Sequence, residues 1–321
     1  MKNILVTGGA GFIGFHLSKK LLTQGHKVII IDNFNDYYNP KIKFDRINQI
    51  KNNKNLKIYK IDISDYKKLT KIFQENKIDK ICHLAAQAGV RYSAENPFIY
   101  EESNLKGFIN ILECAVKFKI KDIVYASSSS VYGENKMPKK GFSENEKTEK
   151  TISLYAATKK SNELIAYAYH KIHNINFVGL RFFTVYGPWG RPDMAYFKFT
   201  KNILEEKEIE IYNDGEMMRD FTYIDDIVLG IISALEKCYN YEIFNLGNNN
   251  PIKLLNFVEI IEKCLNKKSI QKMMPLQDGD VIKTCANIDK AKKMLNYNPK
   301  IDMNTGIENF INWYIKYYNV K

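Results

Sequence analysis

The sequence predicts an α/β protein built on a doubly wound parallel sheet. Three observations support this prediction: short apolar runs of strand length, amphipathic helical stretches that alternate with them, and a glycine-rich turn between the first run and the first helix. Such alternation is typical of βαβ units, in which helices cover both faces of the sheet. After the first two strands, the others are expected at residues 58–62, 80–85, 123–127, 177–183 and 242–246.

The composition of the 321-residue chain argues against several other classes of protein. No stretch reaches about 18 consecutive apolar residues, so no membrane span is expected. The N-terminus is predicted to be a strand rather than a signal peptide, and the five cysteines lack C-x-x-C spacing, which indicates neither disulfides nor a metal site. The net charge of +12 comes from lysines spread along the chain, so a solvated surface is favoured over nucleic-acid binding. We expect a cytoplasmic protein.

A glycine-rich turn follows the first strand, which is predicted at residues 4–6. A helical pattern from Phe12 to Leu22 starts inside this turn, so the helix N-terminus would direct backbone N–H groups at a ligand. Glycines allow a pyrophosphate to approach that backbone closely. The spacing fits both G-x-G-x-x-G and the looser G-x-x-G-x-x-G, with Gly8, Gly9, Gly11 and Gly14 as the glycines concerned.

The second predicted strand, residues 28–31, ends in Asp32. A carboxylate at this position of a dinucleotide fold accepts hydrogen bonds from the adenosine ribose and repels a 2′-phosphate. The next residue is Asn33 rather than an arginine. The sequence therefore predicts a site for NAD rather than NADP.

A tyrosine and a lysine four residues apart are common in this chain, because the Y-x-x-x-K pattern occurs at Tyr37, Tyr132, Tyr155, Tyr167 and Tyr317. Only Tyr155 begins a predicted helix, residues 154–172, shortly after the strand IVYASSSS. Ligands of doubly wound sheets bind beyond the carboxyl ends of the strands. Position therefore favours Tyr155 and Lys159 as the reactive pair.

Hydride-transfer chemistry on an alcohol carbon needs a base for the hydroxyl proton. A free phenol, with a pKa of about 10, is a poor base at neutral pH. Tyr155 and Lys159 share a helix face, so the ammonium would favour the phenolate, as would a positive nicotinamide ring. Lys159 would also bind the nicotinamide ribose, and Ser128 would relay the proton between substrate and Tyr155. The neighbouring serines of the run at 127–130 are partly explained as strand-end caps.

Longer motifs resemble those of the extended short-chain dehydrogenases/reductases of the nucleotide-sugar epimerase group. The resemblance extends nearly end to end, and within the group the motifs are most similar to those of enzymes acting on UDP-glucuronate. It implies a Rossmann-type NAD domain with a smaller α/β C-terminal substrate lobe. The motifs are TGGAGFIG, DNFNDYY, HLAAQAGVRYS, SSSSVYG, SLYAATKKSNE, LRFFTVYGPWGRPDM, RDFTYIDD and LQDGDV.

The resemblance also implies site residues. The catalytic residues would be Ser128, Tyr155 and Lys159. The NAD site would be formed by Gly8, Gly11, Phe12, Ile13, Gly14, Asp32, Asn33, Asp62, Ile63, Leu84, Ala85, Ala86, Gln87 and Asn104, together with Tyr155 and Lys159. The substrate site would be formed by Arg91, Ser127, Ser128, Ser129, Tyr155, Thr184, Arg191, Tyr212, Arg219 and Asp280.

Within the implied substrate site, the parts of a UDP-sugar are divided among these residues. Arg219 and Asp280 would hold the diphosphate and ribose, and Tyr212 would stack on uracil with Arg191 nearby. Thr184 and the hydroxyls of residues 127–129 would bind a sugar carboxylate, with Arg91 as a further possibility. Each assignment has a structural alternative: an ion pair to the next residue for Arg219, a core position for Tyr212 and a helix cap for Asp280.

The implied reaction is NAD-dependent 4-epimerisation of a UDP-sugar, UDP-glucuronate to UDP-galacturonate, through a transient 4-keto sugar. Related dehydratases and decarboxylases carry acidic residues just after the reacting serine, where this chain has Ser129 and Ser130. Three alternatives stay open: a UDP-glucose or UDP-N-acetylglucosamine 4-epimerase, a net oxidoreductase or dehydratase, and a non-catalytic NAD-binding regulator.

The motifs also divide the chain. Residues 1–177, with a return at about 222–247, are expected to form the NAD domain, and residues 178–221 and 248–321 the substrate lobe. Long amphipathic helices are predicted near 100–118 and 154–172. By the resemblance these helices would pair with a second copy, so that a homodimer is expected.

Overall fold

The structure is a computed structural model that describes residues 1–276 and 281–320. Within this part of the chain, a seven-stranded sheet has the strand order β10-β6-β5-β4-β1-β2-β3, and every neighbouring pair is parallel. The predicted α/β class with a parallel sheet is confirmed. The strands are β1 Asn3–Thr7, β2 Lys27–Asp32, β3 Leu56–Lys60, β4 Lys80–His83, β5 Asp122–Ser128, β6 Asn176–Phe182, β7 Thr184–Tyr186, β8 Glu208–Tyr212, β9 Met218–Tyr223, β10 Tyr241–Leu246, β11 Pro251–Lys253 and β12 Ile270–Met274.

Helices cover both faces of this sheet and build most of the second lobe. They are α1 Phe12–Thr23, α2 Lys41–Asn48, α3 Tyr66–Glu75, α4 Tyr92–Glu95, α5 Pro97–Tyr100, α6 Gly107–Lys117, α7 Leu154–His173, α8 Ala195–Leu204, α9 Ile224–Lys237, α10 Leu254–Leu265, α11 Asp289–Leu295 and α12 Met303–Tyr318. Short 3₁₀ turns occupy Ser129–Tyr132 and Asn213–Gly215. Within the described ranges, no helix combines the length and the apolar character that a bilayer span needs.

The alternation of side chains along a strand divides the core between the two faces of the sheet. Val6 and Ile30 belong to one buried cluster, and Leu5 and Ile29 belong to the other. Successive residues of a strand point to opposite faces, so strands covered by helices on both sides are apolar at nearly every position. This explains why the strands were visible in the sequence as continuous apolar runs.

The second lobe is built on two small sheets. In one, β9 pairs with β11 in antiparallel and with β7 in parallel orientation, and in the other β8 pairs with β12. Phe197 on α8 packs edge-on against Trp313 and Tyr314 of α12 and in a tilted arrangement against Phe310. These aromatic contacts bury large apolar areas and hold α12 to the lobe.

The expected domain boundary after residue 177 stays a prediction, and β6 of the seven-stranded sheet continues past that residue to Phe182. The helix predicted near 100–118 is interrupted by a π-helical segment, Glu101–Lys106, between α5 and α6. Within it, Asn104 exchanges hydrogen bonds with the backbone of Gln87. Helical periodicity does not report such a contact between distant segments, and π-helical turns are typical of functional positions.

A buried ion pair joins α7 to β6, the strand next to the edge strand β10. Arg181 on β6 donates two hydrogen bonds to Glu163 on α7, over 2.8 and 2.9 Å, and both side chains are almost fully buried. Glu163 also accepts a hydrogen bond from Ser127 at the end of β5, over 2.7 Å. The position of α7 relative to β5 and β6 is therefore defined by one polar cluster.

We predict that Glu163→Ala lowers the melting temperature strongly, because it leaves the buried Arg181 charge without the carboxylate that accepts two of its hydrogen bonds. Removing one partner of a buried pair costs about 3–5 kcal/mol, which corresponds to a decrease of at least about 5 °C for a protein of this size. The control is Glu216→Ala, which removes a solvent-exposed pair with Lys253. Calorimetric scans that show equal decreases for the two variants would contradict the prediction.

Candidate active site

A cavity of about 280 Å³ opens at the carboxyl ends of β1, β2, β4 and β5, where a doubly wound sheet binds its ligands. It brings together residues from distant parts of the chain, including the predicted glycine turn and the predicted reactive pair. The predicted site residues that line it are Gly8, Gly11, Phe12, Ile13, Gly14, Asp32, Asn33, Asp62, Ile63, Leu84, Ala85, Ala86, Gln87, Ser127, Ser128, Tyr155, Lys159, Thr184 and Arg191.

The glycine turn is too tight for side chains. A Cβ on Gly14 would lie 2.2 Å from the carbonyl oxygen of Gly8, and Gly8 itself has a φ of +68°. The Gly11 N–H donates to that same carbonyl over 3.0 Å. Gly9 packs against Ile30 and is not among the cavity-lining residues. The looser G-x-x-G-x-x-G spacing is therefore the one that describes this turn.

Asp32 connects the glycine turn to the end of β2. Its carboxylate accepts hydrogen bonds from the backbone N–H groups of Ala10, over 3.0 Å, and Phe34, over 2.8 Å. Asn33 donates to Asp62 over 2.7 Å, so the segment that follows β3 lies beside the end of β2. Crowded glycines at a helix N-terminus and carboxylates at the adjacent strand ends fit the pyrophosphate and the ribose of a dinucleotide.

Tyr155 lies in the first turn of α7, and Ser153 caps the N-terminus of this helix because its hydroxyl accepts the Ala156 N–H. Burial raises the pKa of Tyr155, against the effects of a hydrogen bond with Ser128 and the charge of Arg191. Burial also lowers the pKa of Lys159 to about 8. The Lys159 ammonium donates to the carbonyl of Ala126 over 2.9 Å. Arg191 is therefore a cation that favours the Tyr155 phenolate, and the expected effect of the Lys159 ammonium on the phenol stays a prediction.

The serine run at the end of β5 does not present three equivalent hydroxyls. The hydroxyls of Ser128 and Ser130 are hydrogen-bonded over 3.2 Å, and Ser128 lies beside Tyr155. Ser127 lines the cavity, but its hydroxyl hydrogen is used by the buried Glu163. Ser129 is not among the lining residues. Of these three hydroxyls, that of Ser128 both lines the cavity and lies beside Tyr155, and a role of residues 127–129 in binding a sugar carboxylate stays a prediction.

Asn104, predicted in the cofactor site, is fully buried and does not line the cavity. Its side-chain oxygen accepts the Gln87 N–H over 2.8 Å, and its amide donates to the Gln87 carbonyl over 3.1 Å. It therefore supports the cavity wall at residues 84–88 rather than forming part of its surface. Sequence position alone does not distinguish these two roles.

Among the predicted substrate residues that line the cavity, Arg191 forms an ion pair with Asp193. It donates from Nε to Asp193 over 3.0 Å and from Nη2 over 2.5 Å, and Tyr37 donates to the same carboxylate over 3.2 Å. Thr184 at the start of β7 lies in the same wall. Arg191 was expected near the base of the nucleotide, but the structure places it close enough to lower the pKa of Tyr155.

Arg91, Tyr212 and Arg219, three further predicted substrate residues, lie outside this cavity lining. The guanidinium of Arg91 lies over the ring of Tyr212, 5.2 Å from its centroid, and Tyr212 donates to Glu210. Arg219 donates to the carbonyl of Ile282 over 3.2 Å. Asp280 lies outside the described residues.

Sequence reasoning missed Lys43 and Arg46 on α2. Lys43 lines the cavity, donates to Asn35 over 2.6 and 2.8 Å, and has its pKa lowered to about 8 by burial. Arg46 is fully buried and donates to the carbonyls of Ala10, Trp189 and Gly190. The three-residue interval between the two cations in KIKFDR puts them on one helix face, which is the signal that was available. Within the described ranges there is no cluster of three or more His, Cys, Asp or Glu residues that could hold a metal ion.

Comparisons with known proteins agree with this geometry. Residues 4–247 match the model of the NAD dependent epimerase/dehydratase family. An uncharacterized protein of Methanocaldococcus jannaschii is 56% identical over 98% of this chain and 97% of its own length. A UDP-glucuronate 4-epimerase of Thermodesulfobacterium geofontis is 46% identical over 96% of this chain and 95% of its own length. The crystal structure of the Bacillus cereus UDP-glucuronic acid 4-epimerase with UDP-glucuronic acid and NAD superimposes with a TM-score of 0.92 at 36% identity, covering 98% of this chain and 100% of that one.

We predict that Gly14→Ala abolishes retention of a dinucleotide, because its Cβ has no space beside the Gly8 carbonyl. The measurement is the amount of dinucleotide released per protein chain when the purified protein is denatured. Gly25→Ala is the control for backbone strain away from the site: its φ of +80° disfavours alanine, but a Cβ there meets nothing within 4 Å and the residue is not part of the cavity lining. Equal dinucleotide content in the two variants would show that the turn is not the binding element.

Proposed function

The chain belongs to the NAD-dependent epimerase/dehydratase family, and from that premise we propose that it interconverts UDP-glucuronate and UDP-galacturonate by inverting C4 of the sugar. The observation that carries the proposal is the shared cavity in which Ser128, Tyr155 and Lys159 face the glycine turn. A relative named for this activity matches along nearly its whole length. The cavity and the relative support the same reaction on a bound nucleotide sugar.

NAD is the proposed cofactor, held by the glycine turn, Asp32 and Asp62, and when bound it would accept and return the hydrogen of C4. Lys159 holds its position through the Ala126 carbonyl, from which it would bind the nicotinamide ribose. The cofactor need not be consumed, because the sugar is oxidised and reduced within one catalytic cycle.

Tyr155 is the proposed base. Ser128 lies beside the phenol and would donate a hydrogen bond to it while accepting one from the C4 hydroxyl, so the proton passes along a short path. In the free protein, burial keeps the phenol protonated near neutral pH. The positive charge of a bound nicotinamide ring would add to that of Arg191 and favour the phenolate. Tyr155 returns the proton once C4 has been inverted.

Epimerisation is favoured over elimination by the two residues after the reacting serine. Ser129 and Ser130 stand where a dehydratase needs an acid and a base, and neither can supply a carboxylate. A sugar oxidised at C4 in this site therefore has no carboxylate at that strand end to remove a C5 proton, which favours return of the hydrogen to C4 over elimination.

The two ends of the substrate would be held by different walls. Arg191 and Thr184 lie in the cavity near Tyr155 and are the proposed partners of the sugar carboxylate. Tyr212, with Arg91 over its ring, and Arg219 at β9 are proposed for the uridine diphosphate. Asp280 is assigned to the same end by its sequence motif alone.

A UDP-sugar with a neutral C6 group is the second candidate substrate. One observation favours it: the Arg191 charge is already balanced by Asp193, so the wall near C6 is not strongly cationic. UDP-glucose or UDP-N-acetylglucosamine would then be epimerised by the same groups.

We also propose that the protein acts as a cytoplasmic homodimer that supplies precursors for polysaccharide synthesis. Leu164, Tyr167 and Ile172 on α7 and Ile109 on α6 are apolar and exposed, at 62%, 47%, 72% and 39%. Apolar side chains on two neighbouring helices favour the pairing of these helices with a second copy.

The test of the proposed function is incubation of the purified protein with UDP-glucuronate, without added NAD, and NMR of the products. UDP-galacturonate is expected, together with loss of turnover in Tyr155→Phe while its bound NAD is retained. Turnover of UDP-glucose or UDP-N-acetylglucosamine instead would keep the mechanism and refute the substrate. A Tyr155→Phe variant as active as the parent would refute the mechanism.

We predict that Ser128→Ala moves the acidic limb of the pH profile of kcat/KM to higher pH. The hydrogen bond from Ser128 lowers the pKa of Tyr155, so its removal raises that pKa and the phenolate forms only at higher pH. The loss of the relay should also reduce kcat, by roughly 10²-fold. A lower kcat with an unmoved limb would mean that Ser128 only positions the substrate.

A further inference from the structure

Arg191 does not meet its ligand as an isolated cation. Asp193 engages the side-on edge of the guanidinium, with Nε bonded to one carboxylate oxygen and Nη2 to the other. This bidentate pairing is the strongest geometry available to arginine and carboxylate. Arginine carries five N–H donors, so those on Nη1 and one on Nη2 can serve a ligand. A second carboxylate would therefore meet a guanidinium whose charge is already balanced.

Asp193 is itself held from a different loop. Tyr37, which follows β2, donates its hydroxyl to Asp193 over 3.2 Å. Although burial acts in the opposite direction, the Arg191 charge and the Tyr37 hydrogen bond hold the pKa of Asp193 below its usual value. Asp193 is thus a full negative charge at neutral pH, aligned on Arg191 by the loop on the cofactor side of the cavity.

The backbone that carries Arg191 is secured independently of this ion pair. The buried Arg46 donates to the carbonyls of Trp189, over 2.7 Å, and Gly190, over 3.1 Å. The Gly190 N–H also donates to Gly187 over 3.2 Å. Removing the charge of Asp193 should therefore change how strongly Arg191 attracts a ligand, while the path of the loop is preserved.

We propose that Asp193 is a specificity-determining counter-ion of Arg191. By balancing the Arg191 charge, it keeps the binding of a C6 carboxylate weak enough for the sugar to rotate in the site. This inference rests on the proposed function. Between loss and return of the C4 hydrogen, the sugar must present its other face, so a carboxylate held tightly in one pose would slow that turn. Binding energy that stabilises the bound substrate as much as the transition state lowers KM and does not raise kcat.

The experiment compares Asp193→Asn with the parent holoenzyme. The substitution keeps an acceptor oxygen for Arg191 and removes the charge. Removing one like charge near the carboxylate should tighten UDP-glucuronate binding by about five-fold to ten-fold, with a fall of similar size in kcat. Calorimetric affinities for UDP and UDP-glucose should stay unchanged. Asp36→Asn, on the exposed part of the Tyr37 loop, is the matched control and should alter none of these values.

Several results would overturn the proposal: unchanged KM and kcat in Asp193→Asn, weaker UDP-glucuronate binding, or an equal change for UDP, UDP-glucose and UDP-glucuronate. If Asp193→Asn does not fold, Tyr37→Phe takes its place with the opposite sign. Loss of that hydrogen bond strengthens the hold of Asp193 on Arg191, so UDP-glucuronate should bind about two-fold to three-fold more weakly. An unchanged affinity in that variant would refute the proposal.

The failure of this inference is distinguishable from failure of the proposed function. A parent enzyme that does not convert UDP-glucuronate refutes the function, and the calorimetric comparison of UDP-glucuronate with UDP-glucose still tests Asp193. A parent enzyme that converts UDP-glucuronate, with an Asp193→Asn variant that binds the two sugars in the parent's ratio, refutes the inference alone.

Discussion

The buried ion pair between Glu163 and Arg181 is the constraint on which the site depends. Tyr155, Lys159 and Glu163 are spaced by four residues along α7, so they share one helix face. Because Glu163 is bonded to Arg181 on β6 and to Ser127 on β5, this face is held against the end of β5. The geometry between Tyr155 and Ser128 depends on that contact, which is buried and therefore costly to disturb.

A second tie joins the two walls of the cavity. Arg46 is fully buried and donates to the Ala10 carbonyl in the glycine turn and to the carbonyls of the loop before Arg191. A buried cation is stable only when its donors are satisfied, so both loops must keep their paths around it. The proposed cofactor wall and the proposed substrate wall thus share one anchor.

Electrostatically, the site of the free protein disfavours charge on both members of its reactive pair. Burial raises the pKa of Tyr155 and lowers that of Lys159 to about 8. The hydroxyl of Ser128 and the charge of Arg191 offset part of this effect on the phenol. Arg191 in turn is balanced by Asp193. The positive charge that would complete activation of Tyr155 is best supplied by the proposed cofactor, which would link proton removal to cofactor binding.

The parallel α/β fold could be predicted from the sequence, and so could the positions of the glycine turn, of Asp32 and of Tyr155 at the cavity. These features depend on local periodicity and on residues whose order along the chain defines their place in a βαβ unit. Tertiary structure alone decided that Ser127 serves Glu163, that Asn104 supports the cavity wall, that β6 continues past the expected boundary and that Arg191 is paired with Asp193 beside Tyr155. Those outcomes depend on contacts between residues far apart in sequence, and the partner of a polar side chain in a packed interior is set by the neighbours that packing brings to it.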